Sequence, residues 1–183
     1  MGLQAVQHRG QDSCGIFTYA GERFPGRRGL GLVKDVFTSE MLEPLEGNAG
    51  IGHVRYPTIG RGSLADAQPF FERRPGVLMA HNGNVTNFDV LRNRLSERSV
   101  YLLSKCDIEP VLCTFAEELM ARRRRNHTLE DVTAALRDTL NIVEGAFTLV
   151  MVLEVDGEPT LVCVRDPHGI RPGVWGRKGD ARI

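Results

Sequence analysis

The sequence predicts an α+β fold, a layered sandwich of sheets and helices, and three observations carry that prediction. Strand-like segments come first, amphipathic helical segments fill the middle, and strand-like segments return at the end. The closing segments, Phe147–Val155 (FTLVMVLEV) and Thr160–Arg165 (TLVCVR), are nearly continuous in apolar residues, as strands covered on both faces are. The middle carries apolar residues at helical spacing instead. At 183 residues, the chain (1–183) has the length of one domain.

Taken in order, Leu3–Gln7 is too short to form a stable element alone. Ser13–Tyr19 (SCGIFTY) alternates and is rich in strand formers, so it reads as a strand. Gly29–Val33 and Gly50–Val54 are short candidates of the same kind, and Val77–Ala80 is a further apolar run halted by His81-Asn82-Gly83-Asn84. Asn84–Arg98 places Val85, Phe88, Leu91 and Leu95 on one helical face. Asp107 stands where an N-cap belongs, before a helix running to about Arg122 with Ile108, Val111, Leu112, Phe115 and Leu119 at helical spacing. Pro110 falls in its first turn, where the missing N–H costs nothing. Thr128-Leu129-Glu130-Asp131 resembles a capping box, and Val132, Leu136 and Leu140 follow on one face. Asp156-Gly157-Glu158-Pro159 then joins the last two strands as a hairpin.

The composition is that of an ordinary soluble protein, 42% hydrophobic and 25% charged. Lys+Arg and Asp+Glu both number 23, so no long-range field favours a nucleic acid or a membrane surface. Cys14, Cys106, Cys113 and Cys163 form no CxxC pair, which favours free thiols in a reducing compartment over a disulfide or zinc framework. No stretch approaches the roughly 18–20 apolar residues of a membrane span, and Met1–Val6 lacks the features of a signal peptide. A cytoplasmic location is expected.

Four segments carry chemistry: Gln7–Ser13 (QHRGQDS), Gly52–Thr58 (GHVRYPT), His81–Asn84 (HNGN) and Arg165–Pro172 (RDPHGIRP). Hydrolysis of the side-chain amide of free glutamine needs a nucleophile, donors for the oxyanion, a cation for the α-carboxylate and an anion for the α-ammonium. Arg55 suits the carboxylate, since a guanidinium offers a planar pair of donors. Asn82-Gly83 suits an oxyanion hole, an amide side chain followed by a backbone N–H without a Cβ beside it. Asp107 suits the ammonium group. Taken singly, each has a plainer reading. Asn-Gly is a common tight turn, Asp before a helix is a common cap, and Arg beside a strand is usually a surface residue. His8, His53 and His81 read equally well as core or surface histidines, and Arg122–Arg125 as a solvated helix end.

Together these motifs, with Ala67-Gln68-Pro69-Phe70, resemble the glutaminase domain of the amidophosphoribosyltransferases from residue 3 to about residue 176. Tyr56-Pro57 and RDPHGIRP favour this family over its relatives, glucosamine-fructose-phosphate aminotransferase and asparagine synthetase. The resemblance implies a four-layer αββα sandwich of the N-terminal-nucleophile hydrolase type. It implies that Arg55 binds the glutamine carboxylate with Thr58 beside it, that Asn82 and Gly83 form the oxyanion hole, and that Asp107 meets the ammonium group. Arg9 and Gly10 would lie near the nucleophile, and RDPHGIRP would be structural. It further implies ammonia transfer to phosphoribosyl pyrophosphate on a phosphoribosyltransferase domain, and a homo-oligomeric enzyme. The glutaminase domain would need no cofactor, magnesium belonging to the phosphoribosyltransferase domain.

The chain departs from that family in one respect that bears on chemistry. The family's nucleophile is a cysteine at the mature N-terminus, upstream of the QHRG arginine, and none of the eight residues before Arg9 is cysteine. Cys14-Gly15-Ile16 mimics the family's opening, but exposing Cys14 as an N-terminus would remove Arg9 and Gly10, so a core thiol is the expectation. No segment matches the ribose-phosphate loop of a phosphoribosyltransferase. The chain is therefore expected to be a glutaminase domain without its first strand, inactive on glutamine as it stands. Cys106 and Ile108 also replace the small polar residues usual around the aspartate.

Overall fold

Alternation in Ser13–Tyr19 produces strand β1, whose Cys14 and Ile16 point to one side and Phe17 and Tyr19 to the other. The computed structural model describes residues 2–56, 62–122 and 126–183. A short helix α1 (Gly2–Ala5) and a 3-10 turn (Gln7–Arg9) precede β1. Strand β2 (Gly26–Leu30), helices α2 (Val33–Val36) and α3 (Ser39–Leu42) and strand β3 (Ala49–Arg55) follow it. Strands β4 (Phe70–Glu72) and β5 (Val77–Val85) lead to helices α4 (Phe88–Glu97), α5 (Ile108–Met120) and α6 (Leu129–Leu140). Strands β6 (Gly145–Val155) and β7 (Glu158–Arg165) form the expected hairpin, and the strands β8 (Arg177–Lys178) and β9 (Ala181–Arg182) form a small ribbon at the C-terminus.

The strands make two antiparallel sheets, ordered β2-β1-β3 and β4-β5-β6-β7. Three apolar clusters show how the layers stack. Tyr19 and Ile51 from one sheet meet Leu78, Ala80 and Val152 from the other, so the sheets pack face to face. The outer face of the larger sheet, with Val77, Met79, Phe147, Leu149 and Met151, is covered by Leu91, Phe115, Leu119 and Val132 of α4–α6. The outer face of the smaller sheet, with Cys14, is covered by Val33, Val36 and Phe37 at α2. The order is α, β, β, α, the four-layer sandwich expected.

Several elements differ in extent from the sequence reading. Gly31 adopts a φ of +104° and ends β2 early, so Val33 opens α2 where a continuing strand is expected. β5 does not stop at Ala80. It continues through His81-Asn82-Gly83-Asn84 to Val85, because β6 pairs with it at every residue from Val77 to Val85, and α4 starts only at Phe88. β7 is not covered on both faces. Among the described residues it pairs with β6 alone, and Leu161 is 45% exposed. The capping box of α6 is present, Asp131 N–H donating to the Thr128 hydroxyl at 3.2 Å while Thr128 N–H donates to the Asp131 carboxylate at 3.0 Å.

Candidate functional site

At one end of the sandwich a cleft of about 710 Å³ is lined by Arg9, Arg55, Asn82, Gly83 and Asp107, five of the residues singled out in the sequence, although up to about a hundred positions separate them. Gly10 does not line the cleft but packs against the backbone of Arg55, which does. Thr58, the remaining candidate, is outside the described residues.

Arg55 comes to the cleft through the period of β3, which turns Ile51, His53 and Arg55 to the inter-sheet side. Its Nη1 donates to Asp12 Oδ2 at 2.9 Å, with both side chains only 15% exposed. Asp12 belongs to QHRGQDS and is placed by two backbone bonds, its N–H donating to the Arg55 carbonyl and its carbonyl accepting from Gly31 N–H. The rest of the guanidinium makes no hydrogen bond among the described residues. The turn before Asp12 is tied as well. Gln7 Nε2 donates to the Gly10 carbonyl at 2.6 Å and Gln7 Oε1 accepts from Val33 N–H at 2.7 Å. A Cβ on Gly10 would lie 2.5 Å from the Arg55 carbonyl carbon, so only glycine lets this turn press against the arginine's backbone.

Asn82 and Gly83 sit within β5 and not in a turn, so the tight-turn reading of Asn-Gly does not hold here. Alternation sends Asn82 to the side of Leu78 and Ala80, toward the gap between the sheets, and it makes no side-chain hydrogen bond among the described residues. Gly83 faces β6 so closely that a Cβ would stand 2.4 Å from the Ala146 carbonyl oxygen, a packing reason for glycine alongside any chemical one.

Asp107 occupies the N-cap position of α5 without capping it; its side chain makes no cap hydrogen bond. Its Oδ2 instead accepts the Val85 N–H at 2.7 Å and faces His81 Nε2 at 3.3 Å. Burial opposes ionisation of this carboxyl, yet the His81 contact and the Val85 N–H prevail and hold it below the ordinary range. An ionised carboxylate therefore faces the cleft. The neighbouring loop is held by Glu109, which accepts from the N–H groups of Leu103 and Ser104, both at 2.7 Å.

The plain readings of the histidines separate. His8 is exposed, whereas His81 is 6% exposed and His53 half-buried. His53 Nε2 donates to the His81 carbonyl at 3.1 Å, and burial, helped by His81 and Arg55, pushes the imidazole down to about 4. Asp12, Gln68 and the paired role of His81 escaped the sequence reading. The signal for Asp12 and Gln68 was their place inside two quoted motifs; nothing in spacing distinguishes a residue that touches a ligand from one that holds its neighbour. RDPHGIRP is structural in part, since buried Asp166 accepts the N–H groups of Phe147, His168 and Gly169, but Arg171 and Pro172 reach the cleft.

Cys14 is fully buried, and its thiol is pushed up to about 11 by burial and by Asp35. Cys106 lines the cleft but is 6% exposed, and burial pushes it up to about 12. Both are protonated at neutral pH.

This sandwich, with an arginine, an aspartate and an Asn-Gly strand around one cleft, is that of a glutamine amidotransferase domain. The chain belongs to that family: the model of the glutamine amidotransferase domain matches residues 54–183. Among curated proteins it is 42% identical over 179 residues to the amidophosphoribosyltransferase of Escherichia coli, covering 96% of this chain and 35% of that one. It is 39% identical over 183 residues to that of Methanothermobacter thermautotrophicus, covering 99% and 36%. The chain thus spans about a third of the length of the curated relatives it matches. Among solved structures, the glutamine phosphoribosylpyrophosphate amidotransferase of B. subtilis, complexed with ADP and GMP, superposes with a TM-score of 0.79 at 29% identity, covering 99% of this chain and 37% of that one. The structure described as the allosteric regulatory enzyme of purine biosynthesis gives 0.81 at 30% identity, with 99% and 37% covered. The fold is that of the N-terminal-nucleophile hydrolases.

Proposed function

We propose that the cleft binds free glutamine, with Arg55 on the α-carboxylate, Asp107 on the α-ammonium, and Asn82 with the Gly83 N–H at the side-chain carbonyl. The observation that carries this reading is the pairing of opposite charges in one cleft, a guanidinium that makes one hydrogen bond among the described residues and an ionised carboxylate that declines its capping role. A zwitterionic amino acid requires that arrangement. Arg9 and Gly10 would border the nucleophile.

In the complete enzyme this domain would release ammonia from glutamine for transfer to phosphoribosyl pyrophosphate, giving 5-phosphoribosylamine, the first step of purine biosynthesis in the cytoplasm. A phosphoribosyltransferase domain using magnesium would take the ammonia, in a homo-oligomer; the glutaminase domain needs no cofactor for amide hydrolysis by a thiolate. The curated relatives support that acceptor by name. For these 183 residues we propose binding without turnover, because Cys106, which lines the cleft, and Cys14, which follows the family's opening pattern, are both buried and protonated.

Calorimetric titration with glutamine tests the reading. Binding that disappears in Arg55→Ala is expected, and no heat with folded chain would overturn it. Glutamate release above a heat-treated control would overturn the claim of no turnover.

A further inference from the structure

Behind Asp107 lies a chain of buried polar side chains that the proposed roles do not use. We infer that Gln68 is a positioning residue: it fixes the tautomer of His81 and, through His81, keeps the Asp107 carboxylate charged and aimed at the ammonium group of the bound amino acid. The last clause rests on the glutamine reading above; the tautomer does not.

Gln68 and His81 are 4% and 6% exposed. The His81 backbone N–H can only donate, and Gln68 Oε1 stands 2.8 Å from it, which sets the orientation of the amide. Gln68 Nε2, with two protons to give, then faces His81 Nδ1 at 3.1 Å and Cys106 Sγ at 3.7 Å. Nδ1 must accept, so it carries no proton. The single ring proton lies on Nε2 and is donated to Asp107 Oδ2 at 3.3 Å. Nδ1 is also 3.4 Å from Gln68 Oε1. A proton at Nδ1 would meet the amide NH2 at the shorter distance and, in a neutral ring, leave the Nε2 lone pair facing the carboxylate.

The consequence concerns charge. An imidazolium against Asp107 would neutralise the group that a ligand's ammonium needs, whereas a neutral Nε2–H ring donates one hydrogen bond and leaves the full negative charge. Oδ2 is occupied by that bond and by Val85 N–H, whereas Oδ1 meets the Cys106 thiol at 3.9 Å, a long contact to a weak donor that leaves a lone pair for the ligand. Gln68 is itself braced. Arg28 Nη1 donates to the Ala67 carbonyl at 2.8 Å while its guanidinium lies over the rings of Phe17 and Phe70 at 5.9 and 5.6 Å.

The wild-type chain, labelled with 15N at histidine and assigned against His81→Asn, gives the tautomer by NMR without any ligand. A proton on Nε2 alone is expected; a proton on Nδ1, alone or with Nε2, overturns the inference. Gln68→Glu supplies the second arm. Its carboxylate accepts only, so it draws a proton onto Nδ1. Glutamine affinity should fall about tenfold or more, while affinity for glutaramate, which lacks the α-amino group, should change by less than about twofold. Equal losses for both ligands would show a merely structural role and overturn the positioning claim. A wild-type chain that binds neither ligand counts against the glutamine pocket, and the tautomer still decides whether Gln68 holds His81.

Discussion

Asp12 and Arg55 lie 43 positions apart and meet at 2.9 Å, in an ion pair mostly closed to solvent. The arginine that lines the cleft is thereby held, with one nitrogen engaged among the described residues. Rigid placement of a guanidinium reduces the ordering cost when a carboxylate binds.

Removing the partner should therefore show in both stability and affinity. Asp12→Ala is expected to cost about 2–3 kcal/mol of folding stability, because it leaves a largely desolvated guanidinium without this partner. Asp12→Asn, which keeps an acceptor, should cost less. Urea unfolding measures the first effect, and glutamine titration of the folded variants should show weaker binding in the same order. An Asp12→Ala chain with unchanged affinity would mean that Arg55 needs no brace.

The contact of Gly10 with the Arg55 backbone gives a second test. Gly10→Ala puts a methyl group 2.5 Å from the Arg55 carbonyl carbon, and backbone on both sides must shift. A loss of about 1–3 kcal/mol is expected, with weaker glutamine binding. Gly176→Ala, which meets nothing within 4 Å, is the control and should be close to neutral. Thermal unfolding of the two variants side by side decides it.

How much of this was legible beforehand follows from what each feature depends on. β1 was readable because its alternation is local, and α6 because a capping box and a helical stripe agree. The end of β5 was not, since HNGN stays extended only through its pairing with β6, more than sixty positions away. The charge pair of the site was readable from residue type and motif. Its supports were not: Asp12 differs from any surface aspartate only in facing Arg55, and Asp107 resembles a cap until Val85 and His81 take its carboxylate. Tertiary partners decide these roles, and sequence spacing does not contain them.

His53 should give the stability a distinct dependence on pH. Its ring titrates near 6.5 when unfolded and is pushed down to about 4 in the folded chain. Between those values the unfolded state holds more protons, so stability rises with pH across the window. The contribution is complete above pH 6.5 and is lost as pH falls toward about 4, a change on the order of 1–3 kcal/mol for a half-buried residue. The depressed Asp107 carboxyl acts in the same direction lower down, its contribution present above its unfolded value of 3.8 and lost as pH falls through the folded one. His53→Gln, whose amide can still donate to the His81 carbonyl, should flatten the slope between pH 6.5 and 4 in urea titrations and leave the lower limb intact.

The cysteines test whether any thiol in this chain is placed to act as a nucleophile. Cys14, Cys106 and Cys113 are buried, and burial pushes their thiols up to about 11, 12 and 12, with Asp35 adding at Cys14. At about pH 7.5 roughly one thiol in a thousand or fewer of these is ionised, and the thiolate is the reactive form. Cys163 is exposed on the edge strand β7. Iodoacetamide on the folded chain, followed by peptide mass mapping, should modify Cys163 first and the buried three only in denaturant. The order matters because Cys14 is followed by Gly-Ile on a strand and Cys106 lines the cleft, so sequence and location offer each as a stand-in nucleophile. Both would need a lowered pKa and access, and the structure gives each the reverse. Rapid native labelling of Cys14 or Cys106 that free glutamine suppresses would place a reactive thiol in the glutamine site and overturn the proposal of binding without turnover.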